Sequence, residues 1–196
     1  PGRDLEPARH LPRQDGLTML KIALVAVSGI VIAVLAILAY ATTRPDTFRV
    51  ERSVTINAAP ERIFPLINDF RAWAAWSPYE TMDTNLKKEY GAITTGRGAT
   101  YGWEGDKTGR GRMEITEAAA PRKIVIKLDF IKPFEANNIA EFTLAPGAGG
   151  TNVTWAMHGP ALFVGKAMGL FMDMDNMVGK DFAKGLQNLK ALAEKP

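Results

Sequence analysis

The residue types that usually carry catalysis are sparse in this chain. There are two histidines and no cysteine among 196 residues. His10 lies in a polar N-terminal arm, and His158 ends an alternating run beside Gly159-Pro160. Without cysteine there is no disulfide and no thiolate metal site, and with one structured histidine a transition-metal centre is not expected. No HExxH, GxGxxG or P-loop spacing occurs, and Gly96-Arg-Gly98 and Gly102-Trp-Glu-Gly105 read as turn glycines. Asp173, Asp175 and Asp181 fall on a helical pattern. The first two are two residues apart and point in different directions, so the set reads as a solvated outer face. Glu104 and Asp106 belong to a hairpin loop, while Glu114, Asp129, Glu135 and Glu141 fall on strands, where an inward carboxylate would be informative. Acid/base candidates reduce to His158, Tyr101 or one of those strand carboxylates. The assignment is no catalytic set, no metal and no cofactor.

Apolar binding is better supported than acid/base chemistry. Trp73, Trp76, Tyr101, Trp103 and Trp155 recur along the chain, and Met168, Met172, Met174 and Met177 crowd into ten residues. Methionine fills irregular apolar space and suits adaptable surfaces. The competing reading of the aromatic set is plain core.

The elements that must position these residues begin with a long apolar run. Ile22 to Ala41 carries no charge, and only Ser28 and Gly29 are not strongly apolar. A helix of that length spans about 30 Å, the hydrocarbon thickness of a bilayer. Residues 1–18 read as a flexible arm, 19–41 as a transmembrane anchor, 42–46 as a linker and 47–196 as one soluble domain. A cleaved signal peptide is the alternative, since Ala39-Tyr40-Ala41 fits a small-x-small cleavage site and Lys21 a positive n-region. Basic residues flank both ends (Arg9, Arg13 and Lys21 before, Arg44, Arg49 and Arg52 after), so orientation is weakly encoded. The expected location is a single-pass protein of a bacterial inner membrane, with the domain outside the cytoplasm.

Charge excludes one class of partner. Residues 46–196 hold 19 basic and 18 acidic side chains, so the formal net charge of +3 reports no basic domain. With no dense Lys/Arg stripe, nucleic acid is not an expected partner. Lys107, Arg110 and Arg112 read as a solvated hairpin, with an anionic-lipid contact as the alternative.

Thr47 to Ile56 alternates as a half-buried strand, with a phase break near Arg52-Ser53. Pro60 and Glu61 suit the start of a helix whose apolar face is Ile63, Phe64 and Ile67. Asn68-Asp69 ends it, and Phe70 to Trp76 forms a second short helix stopped by Ser77-Pro78. Six strands follow, over 86–90, 99–103, 109–116, 123–130, 136–145 and 151–158. Their short connections predict an antiparallel meander. From about Ala161 to Ala193, Phe171, Met174, Val178, Phe182, Leu186, Leu189 and Ala193 recur at spacings of three and four, one face of a long amphipathic helix.

This order, together with Val54-Thr-Ile-Asn-Ala-Ala-Pro60, Asn68-Asp-Phe-Arg-Ala-Trp-Ala-Ala-Trp-Ser-Pro78 and Gly179-Lys-Asp-Phe-Ala-Lys-Gly-Leu-Gln-Asn-Leu-Lys190, resembles the START/Bet v 1-like superfamily over residues 47–195. That superfamily is also called SRPBCC, or polyketide cyclase/dehydrase and lipid transport. The resemblance implies an α+β helix-grip fold: a seven-stranded antiparallel sheet wrapped on a long C-terminal helix, with an internal cavity for a hydrophobic small molecule. It implies no particular reaction. Pattern places Trp73, Trp76, Tyr101, Trp103, Trp155, Phe171, Met174 and Val178 at such a cavity. The leading functional reading is a membrane-anchored binding module for a hydrophobic small molecule or lipid, its partners being that ligand and the bilayer. The alternatives are an accessory subunit docking on other membrane proteins and a cyclase- or hydrolase-type enzyme.

Overall fold

The computed structural model describes residues 15–161, 166 and 174–195. They form two compact units, which divide between Arg44 and Pro45.

The first unit is helix α1, Asp15–Thr42, 28 residues long. From Ile22 to Leu35 its large side chains are apolar on every side and exposed, Val25 by 73% and Ile32 by 66%. A soluble helix would carry a polar face opposite its apolar one. From Gly16 to Thr42 the helix is long and apolar enough to cross a membrane, a test that a signal sequence also passes.

The second unit is an antiparallel sheet of seven strands: β1 (Thr47–Ile56), β2 (Lys87–Tyr90), β3 (Thr100–Gly105), β4 (Gly109–Ala119), β5 (Lys123–Lys132), β6 (Ala136–Gly147) and β7 (Gly150–Pro160). Its order is β1-β7-β6-β5-β4-β3-β2. The meander is therefore continuous from β2 to β7, and β1 closes the far edge by pairing Thr47 with Pro160 and Ile56 with Thr151. Gly150 turns the chain from β6 into β7 at φ +119°, a conformation L side chains rarely adopt.

Between β1 and β2 lie helix α2 (Pro60–Asn68) and two 3-10 turns, Ala72–Ala75 and Pro78–Glu80. Pro opens α2 and Ile63, Phe64 and Ile67 form its buried face. The carbonyls at the end of a helix lack internal partners. Here two indoles supply them: Trp76 Nε1 donates to the Leu66 carbonyl at 2.9 Å and Trp73 Nε1 to that of Ile67 at 2.8 Å.

Helix α3 (Met174–Ala193) lies along the concave face of the sheet. Phe182, Leu186, Leu189 and Ala193 are each 2% exposed or less, the stripe that the helical period predicts.

Strand β1 departs from expectation at one point. Phe48, Val50, Arg52, Val54 and Ile56 all take the more buried side, so the alternation runs through without a break. What looked like a phase break is a cation on the concave face. A second polar element is the β3–β4 hairpin, whose loop is held by Asp83. Its carboxylate, in a residue 9% exposed, accepts from the Lys107 and Thr108 amides and the Thr108 hydroxyl. The Thr108 hydroxyl bond, ahead of the two amides, holds this carboxyl below the usual aspartate range.

Candidate functional site

The concave face under α3 holds most of the side chains singled out from the sequence. Trp155 projects from β7 into the centre of this space, 3% exposed. Phe182 of α3 stacks on it at 4.1 Å with an interplanar angle of 9°. Phe142 of β6 stacks from the side at 5.0 Å. Trp76, Trp73 and Tyr79 meet it edge-on at 5.6, 6.1 and 6.2 Å. Trp73 and Trp76 also touch each other at 4.9 Å. The structure thus brings Trp73, Trp76 and Trp155 together, and what they build under this part of α3 is a ring-on-ring core.

Tyr101 and Trp103 belong to a second group toward the β2 edge. They stack at 6.4 Å on β3; Tyr101 continues to Phe70 and Tyr90, and Trp103 to Phe130. Trp103 is half-buried, its Nε1 donating to the Thr108 carbonyl. Val178 is half-buried against the core. Phe171, like Met168 and Met172, lies outside the described residues, and Met174 is described only as the first residue of α3.

Two polar groups that pattern did not reveal sit on the same side. Glu80, its side chain 5% exposed, accepts from the Tyr101 hydroxyl at 2.8 Å and pairs with Lys88. Burial pushes the Tyr101 phenol up, and its hydrogen bond to Glu80 adds to this, so the group stays protonated and donates. On β1, Arg52 donates to both carboxylate oxygens of Asp175, at 2.9 and 3.0 Å, and to its backbone carbonyl. The Arg52 bonds hold the Asp175 carboxyl below its usual value. Asp175 is exposed, as expected of a solvated face, and it also ties the start of α3 to β1.

Among the candidate acid/base residues Tyr101 is turned inward onto Glu80, and the others point elsewhere. His158 alternates with the buried Met157 and pairs with Arg49 and Ile139, on the convex face. Glu114, Asp129 and Glu141 also alternate with buried neighbours and face out, Asp129 pairing with Lys127 and Glu141 with Lys123. Glu135 is exposed in the β5–β6 turn. No three histidine, aspartate or glutamate side chains converge to hold a metal ion among the described residues.

Among the described residues, two buried polar atoms on the concave face lack a hydrogen-bond partner: Trp155 Nε1 and Asn138 Oδ1. Asn138, on β6, is 6% exposed, and its neighbours there include Leu128 and Ala140. Such groups are uncommon in folded proteins and call for an explanation.

Two glycines of α3 show how closely this face is built. A Cβ on Gly185 would lie 2.8 Å from the Trp155 ring and 3.0 Å from Pro78, while one on Gly179 would run into the Arg52 guanidinium. Alanine improves helix propensity by about 1 kcal/mol at either site. At Gly185 the obstacle is packed core, and overpacking costs about 1–3 kcal/mol. Gly185→Ala is therefore expected to lower the urea midpoint. Gly179→Ala meets only the end of a long side chain and is expected to leave the midpoint unchanged or raised.

Solved structures share this architecture. Protein CV1439 from Chromobacterium violaceum is 18% identical, aligns over 78% of this chain and 100% of its own, and gives a TM-score of 0.54. Protein MLL2253 from Mesorhizobium loti is 17% identical over 74% of this chain and 95% of its own, with a TM-score of 0.54. DynU16, a protein in the dynemicin biosynthetic locus, is 15% identical over 78% of this chain and 48% of its own, at 0.54. At these identities the likeness is one of fold. Among curated protein sequences none matches the chain. A family profile does match, from residue 47 to residue 194, which takes in β1 to β7, α2 and α3. A helix-grip domain with this sequence match has a family: the chain belongs to the polyketide cyclase / dehydrase and lipid transport family.

Proposed function

We propose that this protein is a binding module for a hydrophobic small molecule or lipid, held at a membrane by α1. The observation that carries the binding half is Asn138. It presents an acceptor without a partner on a concave face otherwise made of Met113, Leu128, Ala140 and Met157. A ligand entering among those side chains, each 8% exposed or less, would meet an apolar lining and donate one hydrogen bond to Asn138, which is the usual composition of a small-molecule site. The packed rings Trp73, Trp76 and Trp155 would bound the site at one end, with Tyr101 and Trp103 along the β2 side and Val178 above. The membrane half rests on the length and all-round apolarity of α1. In this reading residues 42–46 are a tether and the domain faces away from the cytoplasm.

The binding reading is preferred to a cyclase-type enzyme because the described strand carboxylates and His158 face outward. Of the groups turned inward, Glu80 already holds Lys88, and the Tyr101 hydroxyl already donates to Glu80. Native mass spectrometry of the domain tests the reading, through retention of a lipophilic adduct.

A further inference from the structure

We propose that the end of the sheet carrying the β3–β4 and β5–β6 hairpins is a docking surface for an anionic lipid bilayer. Four large apolar side chains are exposed among the described residues of the second unit: Ile93, Ile131, Phe134 and Met177. Two of them flank the β5–β6 turn, with Ile131 42% and Phe134 66% exposed on either side of Lys132-Pro133. Beside them is an open cleft of about 760 Å³ whose lining includes Lys87, Lys107, Arg110 and Lys132.

These four cations differ from several lysines of the domain. Lys88, Lys123, Lys127 and Lys190 each pair with a carboxylate. None of the four in the cleft forms an ion pair among the described residues. The acids at this end are Glu104 and Asp106 in the cleft, Asp83 bonded to the Lys107 and Thr108 amides beneath the β3–β4 loop, and Glu135 beside Phe134. The lining of the cleft itself carries four cations against two carboxylates, next to the exposed apolar turn. That combination of an aromatic to insert and unpaired cations to meet headgroups suits a negatively charged membrane surface. Topology adds a second argument. Thr47 pairs with Pro160 at this same end, so the chain enters the domain here, directly after linker residues 43–46.

The proposal rests on the membrane reading of α1, and the domain alone separates the two. Residues 45–196 form a compact unit with their own core, and the CV1439 and MLL2253 structures consist almost wholly of the same fold. The experiment is co-sedimentation of residues 45–196 with vesicles of phosphatidylcholine alone or mixed with phosphatidylglycerol. Binding is expected only to the mixed vesicles, weakened by salt. Lys132→Ala should lower the partition coefficient about fivefold, the effect of one cation near such a surface. Phe134→Asp should lower it more, with an unchanged circular dichroism spectrum because the ring is exposed. A folded wild-type domain that ignores mixed vesicles overturns the proposal, as does undiminished binding by Phe134→Asp. If the full chain proves not to be membrane-held while the domain still binds mixed vesicles, the anchor reading fails and the docking surface stands.

Discussion

Replacing Trp155 with alanine is expected to destabilise the domain by about 4 kcal/mol, the middle of the range for truncating a fully buried aromatic ring. Five aromatic rings touch this side chain, from β6, α3 and the segment between α2 and β2. Its removal leaves a space that those rings cannot all enter, because each is fixed by its own contacts: Trp73 and Trp76 donate to the end of α2, and Phe182 belongs to the buried stripe of α3. Domains of this size are stable by about 5–15 kcal/mol, so the loss takes a large share. Trp155→Phe keeps one ring and removes an N–H that has no acceptor, so it should cost about 1 kcal/mol. Urea denaturation of the three proteins, compared by midpoint at constant slope, checks the order. Equal losses for alanine and phenylalanine would contradict the stacked-core account.

The second large effect concerns α1. The full chain is expected to resist alkaline extraction from membranes, and residues 45–196 alone to be soluble. Val27→Arg combined with Ile30→Arg puts two charges near the middle of the helix, each costing about 3 kcal/mol at the bilayer centre. That variant should no longer be retained. The same fractions distinguish anchor from signal by intact mass. A membrane-bound species that keeps the apolar segment supports the anchor, and a soluble species beginning after Ala41 shows a cleaved signal.

The strands and the buried stripe of α3 were legible because a single period determines each. Phe182, Leu186, Leu189 and Ala193 keep the helical spacing, and the β5 run Ile124, Ile126 and Leu128 keeps the two-residue one. The β3 and β4 ends ran longer than expected, to Gly105 and Ala119, since turn residues there still pair. Arg52 was misread because a charge at an inward position looks like a break in the pattern; only its partner Asp175, 123 residues away, explains it. Glu80 was invisible for the same reason, since its bond to Tyr101 joins a 3-10 turn to a strand. Gly179 and Gly185 are places where Arg52 and Trp155 come close, a reason for glycine that no helical period carries. The candidate aromatics were recognisable by type, but only three-dimensional contacts divide Trp73, Trp76 and Trp155, which pack together, from Tyr101 and Trp103 near the sheet edge.

The central claim is that the domain binds a hydrophobic molecule on its concave face. Native mass spectrometry of residues 45–196, after incubation with a total lipid extract and removal of unbound lipid, tests it most directly. The account predicts a retained lipophilic adduct at one copy per domain, reduced in Asn138→Leu while the denaturation midpoint is not lowered, because that substitution removes the unpartnered acceptor. A folded wild-type domain that retains no adduct from the extract would contradict the binding account.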